Sequence, residues 1–267
     1  MARPPSRLVE PIPGEPAATA SLGDERVLLI ADYHAGIEDG LRYERGVELP
    51  NNAAKRRQRV LALLADTDAD RLIVLGDLGH RIGGAEGVER EELDALYEAV
   101  VVDRDGAITI APGNHDGEIE ALFGDREGVT ILPASGGVLG EPPATLGVVH
   151  GHTWPDPALL SATTICMGHE HPQVKLADSV GGYRVEQAWL RGRVDPAALV
   201  DRDDSDPPDH AGDSPELVVF PAFNERSGGT WVNVEEQGFL APFLPAAIPD
   251  AECYLLDGTR LGAYRSV

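Results

Sequence analysis

The sequence predicts an α/β fold in which two sheets pack face to face with helices outside. Three observations carry the prediction. Apolar runs ending in polar clusters recur: Val27–Ile30 before Asp32, Leu72–Leu75 before Asp77, Ile108–Ala111 before Asn114, Leu146–Val149 before His150, and Thr164–Met167 before His169. Runs that are apolar throughout read as strands buried on both faces, with their C-terminal ends converging on one site. Helical patterns lie between the earlier runs, and after the last cluster the chain becomes mainly short strands separated by turn residues.

Taken in order, Met1 to Pro16 is proline-rich and lacks the apolar core of a signal peptide. A helix is expected from about Asn52 to Asp66, with apolar Val60, Leu61, Leu63 and Leu64 toward its end. A second runs from about Glu89 to Val102, where Leu93, Leu96, Tyr97 and Val100 recur at helical spacings. Strands alternating with helices imply parallel crossovers. Tyr183–Trp189, Leu217–Phe223, Thr230–Val234 and Cys253–Leu256 supply the later strands. The stretch 201–215 is acidic, proline-rich and almost without apolar residues, which predicts a flexible loop with His210 solvated in it. The clusters span residues 32 to 171 without a linker, so 1–267 is expected to form a single domain.

The chain carries 45 acidic residues against 22 Lys and Arg, a formal charge of -23, with lysine only at 55 and 175. Such a charge repels nucleic acid and anionic membranes at low salt, and self-repulsion opposes compaction unless ions screen it. A salt-rich cytoplasm reconciles these facts, since roughly 1 M salt shortens the Debye length to about 3 Å. The reading is therefore a cytoplasmic protein of a halophile. Two cysteines give no disulfide framework, and Cys166, inside an apolar run, reads as a buried inert thiol. No stretch is apolar for long enough to span a bilayer, and the oligomeric state is left open.

Seven of the eight histidines fall in five clusters: Asp32-Tyr33-His34, Gly76-Asp77-Leu78-Gly79-His80, Gly113-Asn114-His115-Asp116, His150-Gly151-His152 and Gly168-His169-Glu170-His171. Histidines paired with carboxylates at successive strand ends read as a metal centre assembled from several loops. In order and type, the clusters resemble the signature motifs of the calcineurin-like metallophosphoesterases over roughly residues 26–172. The resemblance implies a four-layer αββα sandwich: two mixed sheets with flanking helices. It also implies ligands: Asp32, His34 and His171 for one divalent ion, Asn114, His150 and His169 for a second, and Asp77 bridging them.

The reaction so implied is phosphoester hydrolysis, with metals ~3.5–4 Å apart activating a hydroxide for in-line attack. A donor set without thiolate suits Mn(II), Fe or Zn, and Mn(II) is taken first. By the same resemblance His115 protonates the leaving oxygen or stabilises the transition state, a role worth about 10²–10⁴-fold. His152 is either a substrate contact or a support for a ligand. Asp116, followed by Gly117-Glu118-Ile119-Glu120, reads as the N-cap of a short helix.

His80 stands where many relatives carry an orienting aspartate, and together with the GHEH cluster it resembles the SbcD-type nucleases. There the extra histidine is taken to act on the phosphodiester itself, which makes His80 a second catalytic candidate. Gly168–Pro172, then Phe220-Pro221-Ala222-Phe223-Asn224, Gly228-Gly229 and Val232-Asn233, resemble the ICC-like predicted phosphoesterases. Some bacterial members of that group are linked with a DNA ligase and a helicase in damage response. The expectation is a haloarchaeal phosphodiesterase or nuclease of DNA metabolism or repair, with nucleic acid and DNA-repair proteins as partners.

The alternatives are a phosphomonoesterase or small-nucleotide phosphodiesterase and, more remotely, an inactive protein-binding scaffold. Complete ligand positions weigh against the scaffold. The basic run Lys55–Arg59 could contact phosphates, but a solvated helix face bonded to nearby acids is favoured. The segment 221–224 is read as a structural strand and turn.

Overall fold

A computed structural model describes residues 7–178, 180–199 and 214–267. The first sheet places six strands in chain order: β1 (Val9–Pro11), β2 (Ala17–Leu22), β3 (Glu25–Ile30), β4 (Arg71–Val74), β5 (Ala107–Ile110) and β6 (Val129–Ile131). β1 to β3 run antiparallel, and β3 to β6 run parallel. The helices on its outer side are α1 (Ile37–Arg45), α2 (Ala53–Asp66), α3 (Gly87–Tyr97, continued by a π turn over Glu98–Val102) and α4 (Ile119–Phe123).

The second sheet contains β7 (Gly137–Glu141), β8 (Ala144–Val149), β9 (Thr164–Met167), β10 (Gln173–Ala177), β11 (Tyr183–Arg193), β12 (Glu216–Val219), β13 (Glu252–Leu255) and β14 (Arg260–Ala263). Their order is β14-β13-β11-β12-β9-β8-β7, with β10 paired to the first half of β11. β8, β9 and β12 are parallel, and the remaining pairs are antiparallel.

Strand periodicity explains the uninterrupted apolar runs. Val27, Leu29, Ile73 and Leu75 point between the sheets, where they meet Leu146, Val148, Cys166, Trp189 and Val218. The alternate residues Leu28, Ile30, Leu72, Val74 and Ile110 point the other way, onto Val60, Leu64, Leu93 and Leu96 of the helices. Both faces are dry, so neither set can be polar. The outer face of the second sheet is covered by a 3-10 turn at Pro157–Ser161 and by irregular chain around Phe243, Ala247 and Ile248.

Two expected strands are corrected. Thr230–Val234 makes one isolated bridge, Trp231 with Gln173, before a 3-10 turn at Glu235–Gln237. The Asn233 side chain satisfies the adjacent strand instead: it accepts from Lys175 N and donates to Lys175 O, both at 2.9 Å. The run from Leu217 ends as a strand at Val219, and the following turn belongs to the site. His210 and positions 201–213 of the expected acidic loop lie outside the described residues. Cys166 and Cys253 are free and buried, and burial pushes both thiols up, Cys253 to about 12. Among the described residues no helix is long and apolar enough to cross a membrane.

Candidate metal centre

The C-terminal ends of β3, β4, β5, β8 and β9 all open at one end of the sandwich, and the ladder continues beyond them. Asp32 N donates to Gly76 O (3.1 Å) and His34 N to Asp77 O (2.9 Å), so the first two clusters are stitched together. The Asp32 carboxylate accepts from His169 N at 3.2 Å, which ties the first sheet to the fifth cluster on the second. Five of the seven described non-glycine residues with left-handed backbone are Asp32, His34, Asp77, His169 and His171. Such φ values are costly for side-chain-bearing residues and here concentrate at one site. Gly76 is left-handed too (φ 80°), and a Cβ there would run into the His150 ring.

The side chains form two half-sites. In one, His171 Nε2 lies 3.1 Å from Asp32 Oδ1, and a His34 nitrogen completes a group of ligand atoms all within 4.8 Å of one another. In the other, His150 Nε2 lies 3.2 Å from both Asn114 Oδ1 and His169 Nδ1. Asp77 stands between them, with Oδ2 3.9 Å from His34 Nε2 and Oδ1 3.6 Å from His150 Nε2. Asp32, His34, Asp77 and His150 are buried, whereas Asn114 is exposed on the open side.

Tautomers and charge show that a cation fits this arrangement. His150 Nδ1 donates to Leu75 O (2.8 Å) and His171 Nδ1 to Gly228 O (2.7 Å), so each ring turns Nε2 inward. A backbone acceptor behind the ring is the usual support of a metal-binding imidazole. Burial lowers His34 and His169 to about 3, which leaves both neutral with free lone pairs. Burial opposes ionisation of Asp32, but His171, His150 and His34 outweigh it and hold the carboxyl below its ordinary range. Burial would lower His171 as well, yet Asp32 and Gly228 O raise it to about 9. Asp77 is shifted upward by burial, with Asp32 adding to the shift and His150 opposing it. Two buried carboxylates beside converging imidazole and amide donors constitute a set suited to two divalent ions.

His115 lies beside Asp77: its N–H donates to Asp77 Oδ1 (2.9 Å), and its Nε2 is 3.9 Å from Asp77 Oδ2. His115 Nδ1 bonds the backbone carbonyl of His80. The orienting acceptor is thus main chain, a role that side-chain identity at position 80 does not reveal. The His80 ring stacks on His115 (centroids 5.6 Å apart) and meets His34 edge-on (5.3 Å), with both ring nitrogens buried and unpartnered. The half-buried His152 lies beside the second half-site, 5.3 Å from His150 and 6.2 Å from His169 between ring centroids.

Asp116 does not cap a helix. Its buried carboxylate accepts from Leu78 N (3.2 Å), Gly79 N (3.1 Å) and Gly113 N (2.9 Å), so it clamps the second cluster to the third. α4 starts after Glu118 with no side-chain cap, because the amides of two loops have already claimed the aspartate. Three further acids were not singled out from sequence. Glu89 accepts from His80 N (2.7 Å), and Glu92 from Gly36 N (2.9 Å). Glu170 accepts from Ala241 N (2.7 Å) and Thr230 Oγ1 (3.0 Å). A signal existed for two of them, since Glu89 and Glu92 share the helical face of Leu93 and Leu96.

Asn224 donates to Tyr33 O (2.9 Å) and His34 O (3.3 Å), a structural turn over the first cluster. The basic run bonds acids: Arg56 with Glu38 and Glu92, Arg59 with Glu15 and Glu225.

Two mixed sheets carrying this donor set at their strand ends define a metal-dependent phosphoester hydrolase. The chain belongs to the calcineurin-like phosphoesterase family, whose profile matches residues 25–195. Among solved structures, the nuclease MPE of Pseudomonas putida is 18% identical, with a TM-score of 0.52 over 95% of this chain and 100% of that one. Yfce, a phosphoesterase from E. coli, is 16% identical, with a TM-score of 0.40 over 80% of this chain and 96% of that one. The first likeness shows a shared fold. No curated protein matches the chain.

Proposed function

We propose that this chain is a dinuclear phosphodiesterase and, within that class, a nuclease of DNA metabolism or repair. We place it in the ICC-like branch, in the cytoplasm of a haloarchaeon, as a single domain. The observation that carries the reading is Asp77, set between two half-sites with His115 tied to the same carboxylate. Asp32, His34 and His171 would hold one ion and Asn114, His150 and His169 the other, with Asp77 placed to serve both and Mn(II) as the first choice. When bound, such ions supply Lewis acidity and acidify water toward neutral pH.

With Nδ1 committed to the His80 carbonyl, His115 can release a proton from Nε2 only as the imidazolium, which suits an acid facing a leaving oxygen. His80 is the second catalytic residue and presents a neutral ring, since burial lowers its pKa. His152 contacts substrate at the rim. The Pseudomonas putida protein of the same fold is a nuclease, in keeping with this choice.

Purified protein in molar KCl with Mn(II) is expected to hydrolyse bis-p-nitrophenyl phosphate, and excess EDTA to stop it. Turnover of monoesters alone would overturn the diesterase reading. Failure on both ester types with every divalent ion tried would overturn the enzyme.

The His80 ring occupies space that Gly40 of α1 leaves free, and a Cβ at Gly40 would fall 2.6 Å from His80 Nε2. Gly40→Ala should therefore push the ring toward His34 and His115, while gaining up to about 1 kcal/mol of helix propensity. Diesterase activity should fall, and Tm with it, because overpacking of the ring cluster costs about 1–3 kcal/mol and outweighs that gain. Unchanged activity would show that the ring's position does not matter.

A further inference from the structure

Glu170 separates His169 from His171, and both of these neighbours have left-handed backbone, φ 68° and 42°. Such a backbone is unfavourable for a side-chain-bearing residue and persists where the surroundings over-determine it. Glu170 is fully buried, and its carboxylate reaches distant stretches of the chain. Oε1 accepts from Leu240 N (2.9 Å) and Ala241 N (2.7 Å), and Oε2 from Thr230 Oγ1 (3.0 Å). The main chain is held as well: Glu170 N donates to Gly168 O (2.8 Å), and Glu170 O accepts from Thr230 N (3.1 Å).

The segments so anchored lead back to the ligands and into the core. Two residues before Thr230, Gly228 O accepts from His171 Nδ1 at 2.7 Å, and a Cβ at Gly229 would run into His171 O. On the other side of His171, Gln173 N donates to Thr230 O (2.9 Å). Ala241 is buried with Phe243, Ala247 and Ile248 against the second sheet.

We infer that Glu170 is a positioning residue of the metal centre: through Thr230, Leu240 and Ala241 it fixes the backbone that aims His169 at one half-site and His171 at the other. The inference rests on the metal reading above. His169 Nδ1 stands 3.2 Å from His150 Nε2, and His171 Nε2 stands 3.1 Å from Asp32 Oδ1, so a shift of residue 170 moves a ligand in each pair. Among the described residues Glu170 belongs to none of the groups of converging ligand atoms, so its effect on the metals passes through its neighbours. The chemistry it needs is acceptance of hydrogen bonds, which glutamine can reproduce: the amide oxygen accepts from the two backbone N–H groups, and the NH2 donates to Thr230 Oγ1.

The alternative is that Glu170 merely closes the core beside Ala241. Calorimetric titration of the metal-free chain with Mn(II) in molar KCl separates the two, together with amide hydrogen exchange in EDTA. Glu170→Ala should raise both Mn(II) dissociation constants by about tenfold to a hundredfold, the usual cost of losing a support of metal ligands. Exchange should quicken at His169 N and Thr230 N. Glu170→Gln should stay close to the wild type in both measurements. Thr230→Val removes a single hydrogen bond to the carboxylate and serves if the alanine variant does not fold; it should weaken both constants by a smaller factor. Unchanged constants in a folded alanine or valine variant, even with a lowered Tm, would overturn the inference while the metal centre stands. Weakening of one constant alone would overturn the shared role, and a glutamine variant as weak as alanine would place the effect in the charge instead. A wild type that binds no divalent ion, with exchange still quickened in Glu170→Ala, would refute the metal reading and leave the anchoring intact.

Discussion

Asp77→Asn is expected to lower phosphodiester hydrolysis by roughly 10³-fold or more, the scale of losing a fixed charge from a desolvated site. The change keeps the shape of the side chain and leaves an oxygen to accept from His115 N, so the clamp between the second and third clusters survives. It removes a charge that lies against both half-sites, within 3.9 Å of His34 Nε2 and 3.6 Å of His150 Nε2. Metal content, read by elemental analysis after dialysis against Mn(II), should therefore fall along with activity.

Stability of the metal-free form should move the other way. Burial and the nearby Asp32 both disfavour the Asp77 carboxylate, and neutralising it relieves that repulsion. A higher Tm in EDTA together with lost activity is the expected pairing. A variant that kept full metal content and near wild-type turnover would sink the bridging role.

The parts of this protein that were legible in its sequence are those where one physical demand acts alone. A strand buried on both faces has to be apolar almost throughout, with only threonine admitted at Thr109, Thr145 and Thr164, so β3, β4, β5, β8 and β9 stood out, and the abrupt polar residues after each marked their open ends. The first hairpin did not stand out. β2 is built largely from alanine and is buried in the sheet, yet alanine has no strand preference to display. Asp116 was misread because its local context favours a cap, whereas its partners Leu78, Gly79 and Gly113 include a loop far away in sequence. The orienting acceptor for His115 is a backbone carbonyl, which leaves no trace in residue identity. The same holds for Asn233, whose side chain does the work of a strand that Thr230–Val234 does not form.

Arg56→Met should be the most destabilising single change outside the metal centre. Arg56 donates to both oxygens of Glu38 (3.1 Å each) and to both of Glu92 (2.8 and 2.9 Å), with all three side chains buried. Its guanidinium also stands over the Tyr33 ring, 5.4 Å from the centroid. The triad joins α1, α2 and α3, and Glu92 in turn accepts from Gly36 N, two residues after His34. Removing the cation strands the buried Glu92 carboxylate and leaves Glu38 only Arg226, 3.5 Å away, a loss of about 3–5 kcal/mol. For a chain of this size, that is a fall in Tm on the order of 10 °C.

Two controls separate this loss from the effect of a smaller side chain. Molar KCl should not restore Tm, because a buried pair is poorly screened. Acid should narrow the gap. Burial opposes ionisation of Glu38, but hydrogen bonds and charge from Arg56 outweigh it and lower its pKa from the ordinary 4.5. The pair's contribution is therefore complete above pH 4.5 and fades as pH falls through the depressed value. Below that point the uncharged replacement side chain faces a neutral Glu38, and the variant should approach the wild type. A gap that stayed constant from neutral pH into acid would mean that Arg56 stabilises these helices by packing rather than by charge.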